Sequence, residues 1–583
     1  MLTRLAPSLA LLLRYERSWA RGDLLAGITV AAYLVPQVMA YADVAGLPAV
    51  VGLWAISGSL LVYAVLGSSR QMSVGPESTT ALMTAAAVGP LAASDPGRYA
   101  VLAAGLAVVV GLLCLVGWVV RLGVLADLLS KPVLVGYMAG VAVIMVASQL
   151  DKITGVAAEG DTFLAQVGSF ARRADQLEPG TLALAAAVLV FLLVASRFFP
   201  RAPVPLIGML LATVCVAVLS PAEESIRLVG EIPAGLPRPQ VPDVSTADFT
   251  ALSLPAVGVA IVAYTDNVLT ARAFGTRNGY PVDANQELLA LGAANLAAGV
   301  MRGFPVSSSG SRTAIGDSLG SRSQLHSLIA LGVVVLTVLL LRPLLAAFPT
   351  AALGALVVYA ALRLIDLAEF RRIGRFRRSE LVLALATTVA VVVFGVLYGV
   401  LAAVGLSILD VLRRVARPHD GILGYVPGVP GMHDIDDYPN AKLVPGLVVY
   451  RYDSPLFFAN AADFRRRALA ALEVSDSVEW FLLNAEANVE VDVTSLDALE
   501  DLRHELERQG VIFAMARVKQ DLLDDLRAAG LVERIGSDRI FFTLPTAVQA
   551  YVTWYAERHG SPPPGVVAAP PPNPLEPPQP DGG

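Results

Sequence analysis

Long apolar segments separated by short polar connections make up the chain from about residue 23 to residue 413. Most of these segments are about 20 residues long, the length that an α-helix needs to cross the hydrocarbon core of a bilayer. The pattern predicts an α-helical polytopic membrane domain over residues 23–414, with fourteen membrane elements near residues 24–42, 50–67, 76–91, 99–120, 125–150, 180–197, 203–220, 253–273, 284–301, 310–321, 325–342, 350–366, 379–395 and 397–413.

The pattern changes to that of a soluble α/β domain over residues 441–560. Short apolar runs there alternate with stretches of helical periodicity, which is typical of strands that alternate with helices. The predicted strands lie near 447–453, 478–485, 511–516 and 539–543, and the predicted helices near 461–473, 495–508, 518–530 and 545–558. We expect residues 1–22 to be a cytosolic N-terminal segment, residues 415–440 a linker, and residues 561–583 a disordered Pro-rich tail.

Lysine and arginine residues are concentrated in alternate connections between the apolar segments. The most basic connection, "RLIDLAEFRRIGRFRR" at 363–378, contains six arginines. If all fourteen elements cross the bilayer, the basic connections fall on one side, and cytoplasmic loops carry such an excess. We therefore expect a multi-pass protein of the inner (plasma) membrane with both termini in the cytoplasm.

Two of the membrane elements are short, follow a proline, and are rich in serine and threonine. They are "SVGPESTTALMTAAAVGP" (73–90) and "GFPVSSSGSRTAIGDSLG" (303–320), the third and the tenth element. Short, Gly/Pro-interrupted segments in corresponding positions of two halves are typical of inverted-repeat transporters. A helix that begins at mid-membrane depth offers free N–H groups and a positive dipole end, and both bind anions. The alternative is that these elements are re-entrant helices or loops.

Charged residues within membrane helices are costly and mark candidate functional sites. Arg312 could bind an anion or pair with an acid, and the hydroxyl-rich surroundings favour the anion. Glu77 could be a protonatable coupling group or the ion-pair partner of Arg312. Asp266 and Thr270 share a helix face, which suits a cation or a proton relay but also a buried hydrogen bond. Glu287 is expected to be structural, with Asn285 and Asn295 as nearby partners.

The composition favours a membrane protein, and the motifs missing from the sequence argue against an enzyme. The 583 residues are 55% hydrophobic and 16% charged, against about a quarter charged in soluble proteins. Nucleotide fingerprints, metal-spaced His or Cys clusters and nucleophile motifs are absent from the sequence, so we expect no enzyme, no catalytic residues, no cofactor, no metal and no nucleic-acid partner.

Four motifs in order resemble the sulfate permease (SulP) or solute carrier 26 family of anion transporters. They are "VPQVMAYADVAGLPAVVGLW" (35–54), "VGPES" (74–78), "NQELLALGAANLAAG" (285–299) and "FPVSSSGSRTA" (304–314). The resemblance implies two inverted seven-helix repeats divided into a core and a gate domain, and a homodimer in the lipid bilayer. It places Gln37, Tyr41, Glu77, Ser78, Gly310, Ser311 and Arg312 around the anion, and Glu77, Asp266 and Thr270 at the coupling ion.

The C-terminal domain resembles the sulfate-transporter and anti-sigma-factor-antagonist (STAS) domain. In "EVDVTSLDAL" (490–499), Thr494 occupies the position at which phosphorylated relatives carry a hydroxyl. The resemblance thus makes Thr494 a candidate phosphosite, whereas the residue pattern alone favours a helix cap.

The sequence as a whole predicts a secondary active transporter of inorganic oxyanions. Sulfate uptake coupled to protons or sodium, by movement of the core against the gate, is the first expectation, and a bicarbonate or chloride transporter or exchanger is the second. A membrane-anchored signalling protein and a nucleobase permease of the same fold are further alternatives.

Overall fold

The computed structural model describes residues 5–92, 95–123, 130–157, 163–199, 202–219, 226–233, 235–475 and 477–564. Most of the Pro-rich tail predicted at 561–583 lies outside the described residues. The chain divides into two compact units, Met1–Ile408 and Leu409–Gly583. Each unit has its own hydrophobic core.

The first unit is helical. Its first half contains α1 Pro7–Leu13, α2 Ala20–Val44, α3 Val50–Leu66, the two-residue strand β1 Val74–Gly75, α4 Ser78–Val88, α5 Pro96–Val119, α6 Lys131–Ser148, α7 Leu150–Thr154, α8 Phe163–Arg172, α9 Pro179–Phe198 and α10 Val204–Leu219. Its second half contains α11 Thr246–Arg277, α12 Ala284–Val300, the strand β2 Ser307–Ser308, α13 Gly310–Ser318, α14 Leu325–Leu340, α15 Arg342–Ala346, α16 Thr350–Leu364, α17 Leu367–Phe376 and α18 Arg378–Ala416, which continues past the unit boundary.

Each of the fourteen predicted membrane elements corresponds to a helical segment. The last two lie within α18, which is interrupted at Gly395, where φ is +82°. Seven described helices have the length and apolar composition to cross a membrane, and three shorter apolar helices accompany them. The short helices α4 and α13 stand apart because proline precedes each of them and their first turns are hydroxyl-rich.

Two groups of helices form the packing contacts of this unit. In one group, α12 packs against α5 and α3, α14 packs against α2, and α11 packs against α5. In the other group, α9 packs against α16 and α10, and α16 packs against α6. Helix α2 joins the two groups, since it contacts both α14 and α16.

The second unit contains a six-stranded sheet of order β4-β3-β5-β6-β7-β8. The elements are β3 Asp420–Tyr425, β4 Met432–Asp434, β5 Leu447–Tyr452, α19 Ala461–Ala470, β6 Trp480–Asn484, α20 Val493–Arg508, β7 Ile512–Ala516, α21 Gln520–Ala528, α22 Leu531–Ile535, β8 Ile540–Phe541 and α23 Leu544–His559. Strands β5 to β8 are parallel, whereas β3 is antiparallel to both β4 and β5.

The segment 415–440, which the sequence assigns to a linker, differs from that expectation. It contributes β3 and β4 to one edge of the sheet. Glycine and proline are frequent in this segment, and both weaken the sequence signal of a strand.

Candidate functional site

The segments that precede α4 and α13 cross and pair with each other. Strands β1 and β2 are antiparallel, with Val74 opposite Ser308 and Gly75 opposite Ser307. The N–H of Ser309 donates to the carbonyl of Ser73 at 3.0 Å. Backbone that is not helical at membrane depth must be paired within the protein. The pairing therefore allows two helices to begin in the middle of the bundle.

The two helix starts differ in what occupies them. Glu77 is the N-cap of α4, where its carboxylate accepts from the N–H of Thr79 at 2.8 Å and from the hydroxyl of Ser78 at 2.6 Å. At the start of α13, Gly310 and Ser311 are exposed. The positive end of α4 is thus occupied by a carboxylate of its own chain, and the end of α13 is accessible to an external anion.

Arg312 is fully buried in the first turn of α13. Its Nη1 donates to Oε1 of Gln37 and to the carbonyl of Pro76, each at 3.1 Å, and its Nε donates to Oγ of Ser73 at 3.3 Å. Its Nη2 has no hydrogen-bond partner in the described part of the chain. No carboxylate of the described residues lies within 4.0 Å of the guanidinium, so the ion pair with Glu77 considered from the sequence is not formed.

Gln37 connects Arg312 to the first long helix. Its amide oxygen accepts from Arg312, and its amide nitrogen donates to the hydroxyl of Tyr41 at 3.0 Å. Gln37 and Tyr41 lie one turn apart on α2, and both are buried. Because the amide oxygen is held on the arginine, the orientation of the guanidinium is fixed by a neutral group. The direct contacts of Arg312 therefore place no negative charge against the guanidinium.

Asp266 and Thr270 reach the same region from α11. The hydroxyl of Ser308, in β2, donates to Oδ2 of Asp266 at 2.8 Å and lies 3.3 Å from Oγ1 of Thr270. Asp266 is within electrostatic reach of Arg312 without contacting it. In the described residues no cluster of three or more His, Cys, Asp or Glu side chains could hold a metal ion. The pair thus adds a carboxylate and a hydroxyl next to the crossing segments.

Family models divide the chain into the same two parts. The model of the sulfate permease family matches residues 21–387, and the STAS domain model matches residues 438–547. The chain belongs to the sulfate permease family. Both the expected family and the C-terminal domain are confirmed.

Relatives of this permease are named as transporters. A protein of Mycobacterium tuberculosis named as a probable sulfate transporter is 63% identical over 547 residues, which cover 94% of this chain and 98% of that protein. Sulfate transporter 4.1, a chloroplastic protein of Arabidopsis thaliana, is 32% identical over 90% of this chain and 79% of its own length. These relatives agree with the expectation of a transporter rather than an enzyme.

A solved structure shares the fold. The murine solute carrier 26 family member A9, an anion transporter in the inward-facing state, superposes with a TM-score of 0.86 and 25% identity, over 93% of each chain. The expected fold class, a polytopic helical transporter with a C-terminal α/β domain, is confirmed.

Three residues of the candidate site were missed from the sequence. Ser73 and the carbonyl of Pro76 bind Arg312, and Ser308 binds Asp266. All three lie at or just before a predicted helix start, and this position could have marked them as candidate site residues. Non-helical backbone inside a membrane must be buried in protein or line a cavity. Polar and carbonyl groups that come just before such a helix therefore lie close to its N-terminal end.

Glu287 is a buried structural residue, as expected, but its partners differ from those expected. Its carboxylate accepts from the hydroxyl of Tyr63 at 3.0 Å and from the N–H and hydroxyl of Ser68 at 2.9 and 2.7 Å. Asn285 and Asn295 bind backbone groups instead. The expectation that these two asparagines hold Glu287 is wrong.

In the STAS domain, the cap of α20 is Asp492 and not Thr494. Asp492 accepts from the N–H and hydroxyl of Ser495 at 2.8 and 2.6 Å, and from the N–H of Phe458 at 2.7 Å. Burial opposes the ionisation of Asp492, but these hydrogen bonds outweigh it and lower the pKa of its carboxyl below the usual value. Thr494 is exposed, on the same open depression as Arg465 and Arg466. Its phosphorylation stays a prediction.

Proposed function

We propose that this permease is a secondary active transporter of an inorganic oxyanion, with sulfate as the substrate and protons as the coupling ion. Transport proceeds by alternating access, in which the core domain moves against the gate domain. The protein lies in the inner (plasma) membrane as a homodimer, with both termini in the cytoplasm.

The observation that carries this proposal is that Arg312 is fully buried and has no carboxylate of the described residues in contact with its guanidinium. A charge buried without a counter-ion is costly, by several kcal/mol in protein interiors. Arg312 bears part of that cost beside the accessible start of α13, because its hydrogen-bond partners among the described residues are neutral and the carboxylates of Glu77 and Asp266 act on it only from beyond contact distance. An anionic ligand offsets the cost, since it supplies the missing charge and an acceptor for Nη2.

The anion would bind at the start of α13. The N–H groups of Gly310 and Ser311 and the hydroxyl of Ser311 donate to its oxygens, as at other helix N-termini. Arg312 supplies the full charge, and Gln37 keeps the guanidinium oriented through the 3.1 Å contact. Tyr41 holds Gln37 in turn. Sulfate suits this donor set because it is an acceptor at every oxygen.

The coupling proton would bind Asp266 in preference to Glu77. The carboxylate of Glu77 already accepts two hydrogen bonds from the start of its own helix, which give it a structural role there. Among the described residues Asp266 accepts one hydrogen bond, from Ser308, and that residue belongs to the strand leading into α13. Protonation of Asp266 removes a negative charge near the anion. Thr270 beside it offers an oxygen ligand should the coupling ion be sodium.

Radiolabelled sulfate uptake into proteoliposomes tests the proposal. With the purified permease, we expect uptake to rise when an inward-directed proton gradient is imposed. An imposed sodium gradient should leave it unchanged. The matched pair Asp266→Asn and Glu77→Gln separates the two carboxylates, since only Asp266→Asn should remove the proton effect. Absence of sulfate uptake under both gradients would overturn the proposal.

A second candidate function is exchange of bicarbonate or chloride without ion coupling. The capping contacts of Glu77 favour it, because they give that carboxylate a structural role at the start of α4 in place of a coupling role. Under this candidate a proton gradient leaves anion uptake unchanged, and both Glu77→Gln and Asp266→Asn stay active.

A further inference from the structure

Helix α17 is a short basic helix between two long apolar helices. It spans Leu367–Phe376 and connects α16, which ends at Leu364, to α18, which begins at Arg378. Helical spacing places cationic and apolar side chains on opposite faces. The cationic face carries Arg371, Arg372 and Arg375, and the apolar face carries Phe370, Ile373 and Phe376.

The arginines of this segment exceed the carboxylates that could neutralise them. Arg372 pairs with Glu369 at 3.2 Å, but Glu369 also binds Lys131 of α6 at 2.7 Å. Arg371 and Arg375 are exposed, and no carboxylate of the described residues lies within 4.0 Å of either. A concentrated positive charge therefore remains on one face of the helix.

Apolar side chains are exposed at both ends of the helix. Leu367 is 60% exposed and Phe376 is 73% exposed, whereas Ile373, which holds the helix on the bundle, is 6% exposed. Large apolar groups beside unpaired arginines suit the interface of a bilayer, where the apolar groups enter the acyl region and the cations reach the headgroups. The adjoining helices α16 and α18 fix α17 at that depth, since both belong to membrane-spanning segments.

We propose that α17 binds the phosphate headgroups of anionic phospholipids in the adjacent leaflet. The guanidinium groups of Arg371, Arg372 and Arg375 would each take phosphate oxygens in bidentate fashion, which is the geometry that arginine favours. Charge complementarity and the flanking spans select a membrane lipid as the occupant. This site is separate from the transported anion and does not depend on which anion is carried.

Binding of phosphatidylglycerol to the full-length protein tests the proposal. The protein is reconstituted in phosphatidylcholine nanodiscs, phosphatidylglycerol is titrated, and bound lipid is measured by native mass spectrometry. Each basic residue near an anionic surface contributes about fivefold in affinity, so R371Q/R372Q/R375Q should weaken binding about a hundredfold. The variant R371K/R372K/R375K keeps the charge and should retain most of the binding. Sulfate uptake in neutral vesicles and size-exclusion elution verify that each variant is folded.

A matched control removes the same charge elsewhere. Arg508, Arg527 and Arg558 are exposed arginines of the C-terminal α/β domain and do not flank a membrane-spanning helix, so R508Q/R527Q/R558Q should leave phosphatidylglycerol binding within about twofold. Equal loss in this control would overturn the assignment to α17, as would unchanged binding in R371Q/R372Q/R375Q. Competition by free inorganic phosphate as effective as that by the lipid would overturn the choice of a membrane headgroup.

Discussion

Removal of the Arg312 guanidinium should strongly weaken sulfate binding. The side chain is fully buried, three of its hydrogen bonds are to neutral groups, and Nη2 has no partner in the described residues. Truncation of one member of a buried hydrogen-bonded charge pair costs about 2–5 kcal/mol. Arg312→Ala should therefore weaken sulfate affinity by about 30-fold to 5,000-fold. Arg312→Lys keeps the charge but loses the fork of donors, so its affinity should be intermediate.

Equilibrium binding of radiolabelled sulfate to purified protein, by scintillation proximity, measures this loss. Arg312→Ala also leaves the carbonyl of Pro76 and the amide oxygen of Gln37 without a donor, which costs about 1–3 kcal/mol of stability for each group. Thermal unfolding must therefore accompany the binding assay. Arg322 is exposed, and its side chain has no hydrogen bond or ion pair among the described residues, so Arg322→Ala is the matched control and should bind sulfate normally. Unaltered affinity in folded Arg312→Ala would refute the reasoning.

Three further predictions concern other ion pairs and carboxylates. Asp266→Asn should abolish the stimulation of sulfate uptake by an inward proton gradient, and a stimulation equal to that of the wild type would contradict its coupling role. Lys152→Ala breaks a 2.6 Å ion pair with Asp43 that is partly exposed, so the free energy of unfolding should fall by no more than about 1 kcal/mol in a denaturation experiment. A larger loss would contradict the assignment of this pair as a weak surface interaction. Asp492→Ala should destabilise α20 by about 1 kcal/mol, as measured by hydrogen exchange. Because the pKa of Asp492 is lowered in the folded state, its stabilisation is complete above the pKa of an unfolded aspartate and is lost as the pH falls through the folded value. An opening free energy of α20 that is equal at neutral and acidic pH, after correction of the exchange rates for their intrinsic pH dependence, would contradict this.

The positions of α4 and α13 could be predicted from the sequence for a physical reason. Proline and glycine end regular structure, and serine and threonine favour helix starts. The segments "VGPEST" and "PVSSSGSR" therefore both predict a helix that begins after an extended segment. Their placement in the third and tenth elements indicated the pairing of the two segments. The structure pairs them through β1 and β2.

The choice of partners within the site could not be predicted. Glu77 lies near both Arg312 and the first turn of its own helix, and sequence does not tell which of these groups the carboxylate faces. The contact of Ser308 with Asp266 joins residues 42 positions apart, and it depends on the packing of α11 against β2. Differences of a few ångströms decide such contacts, and hydrophobic periodicity carries no information at that scale.

The edge of the C-terminal sheet was missed for a different reason. Strand β3 contains Gly421 and Gly424, and glycine has no side chain to contribute to an alternating pattern. Strand β4 has three residues and follows the Gly/Pro-rich turn at 426–431. Such strands form because the sheet offers hydrogen-bond partners, which a local sequence pattern does not record.

The most direct test of the central claim is sulfate uptake into proteoliposomes with bicarbonate as competitor. The account predicts proton-stimulated uptake of radiolabelled sulfate by the wild-type permease, loss of uptake in Arg312→Ala, and little competition by bicarbonate. Uptake of bicarbonate without uptake of sulfate would contradict the assignment of the substrate. Sulfate uptake that persists in Arg312→Ala would contradict the assignment of the site.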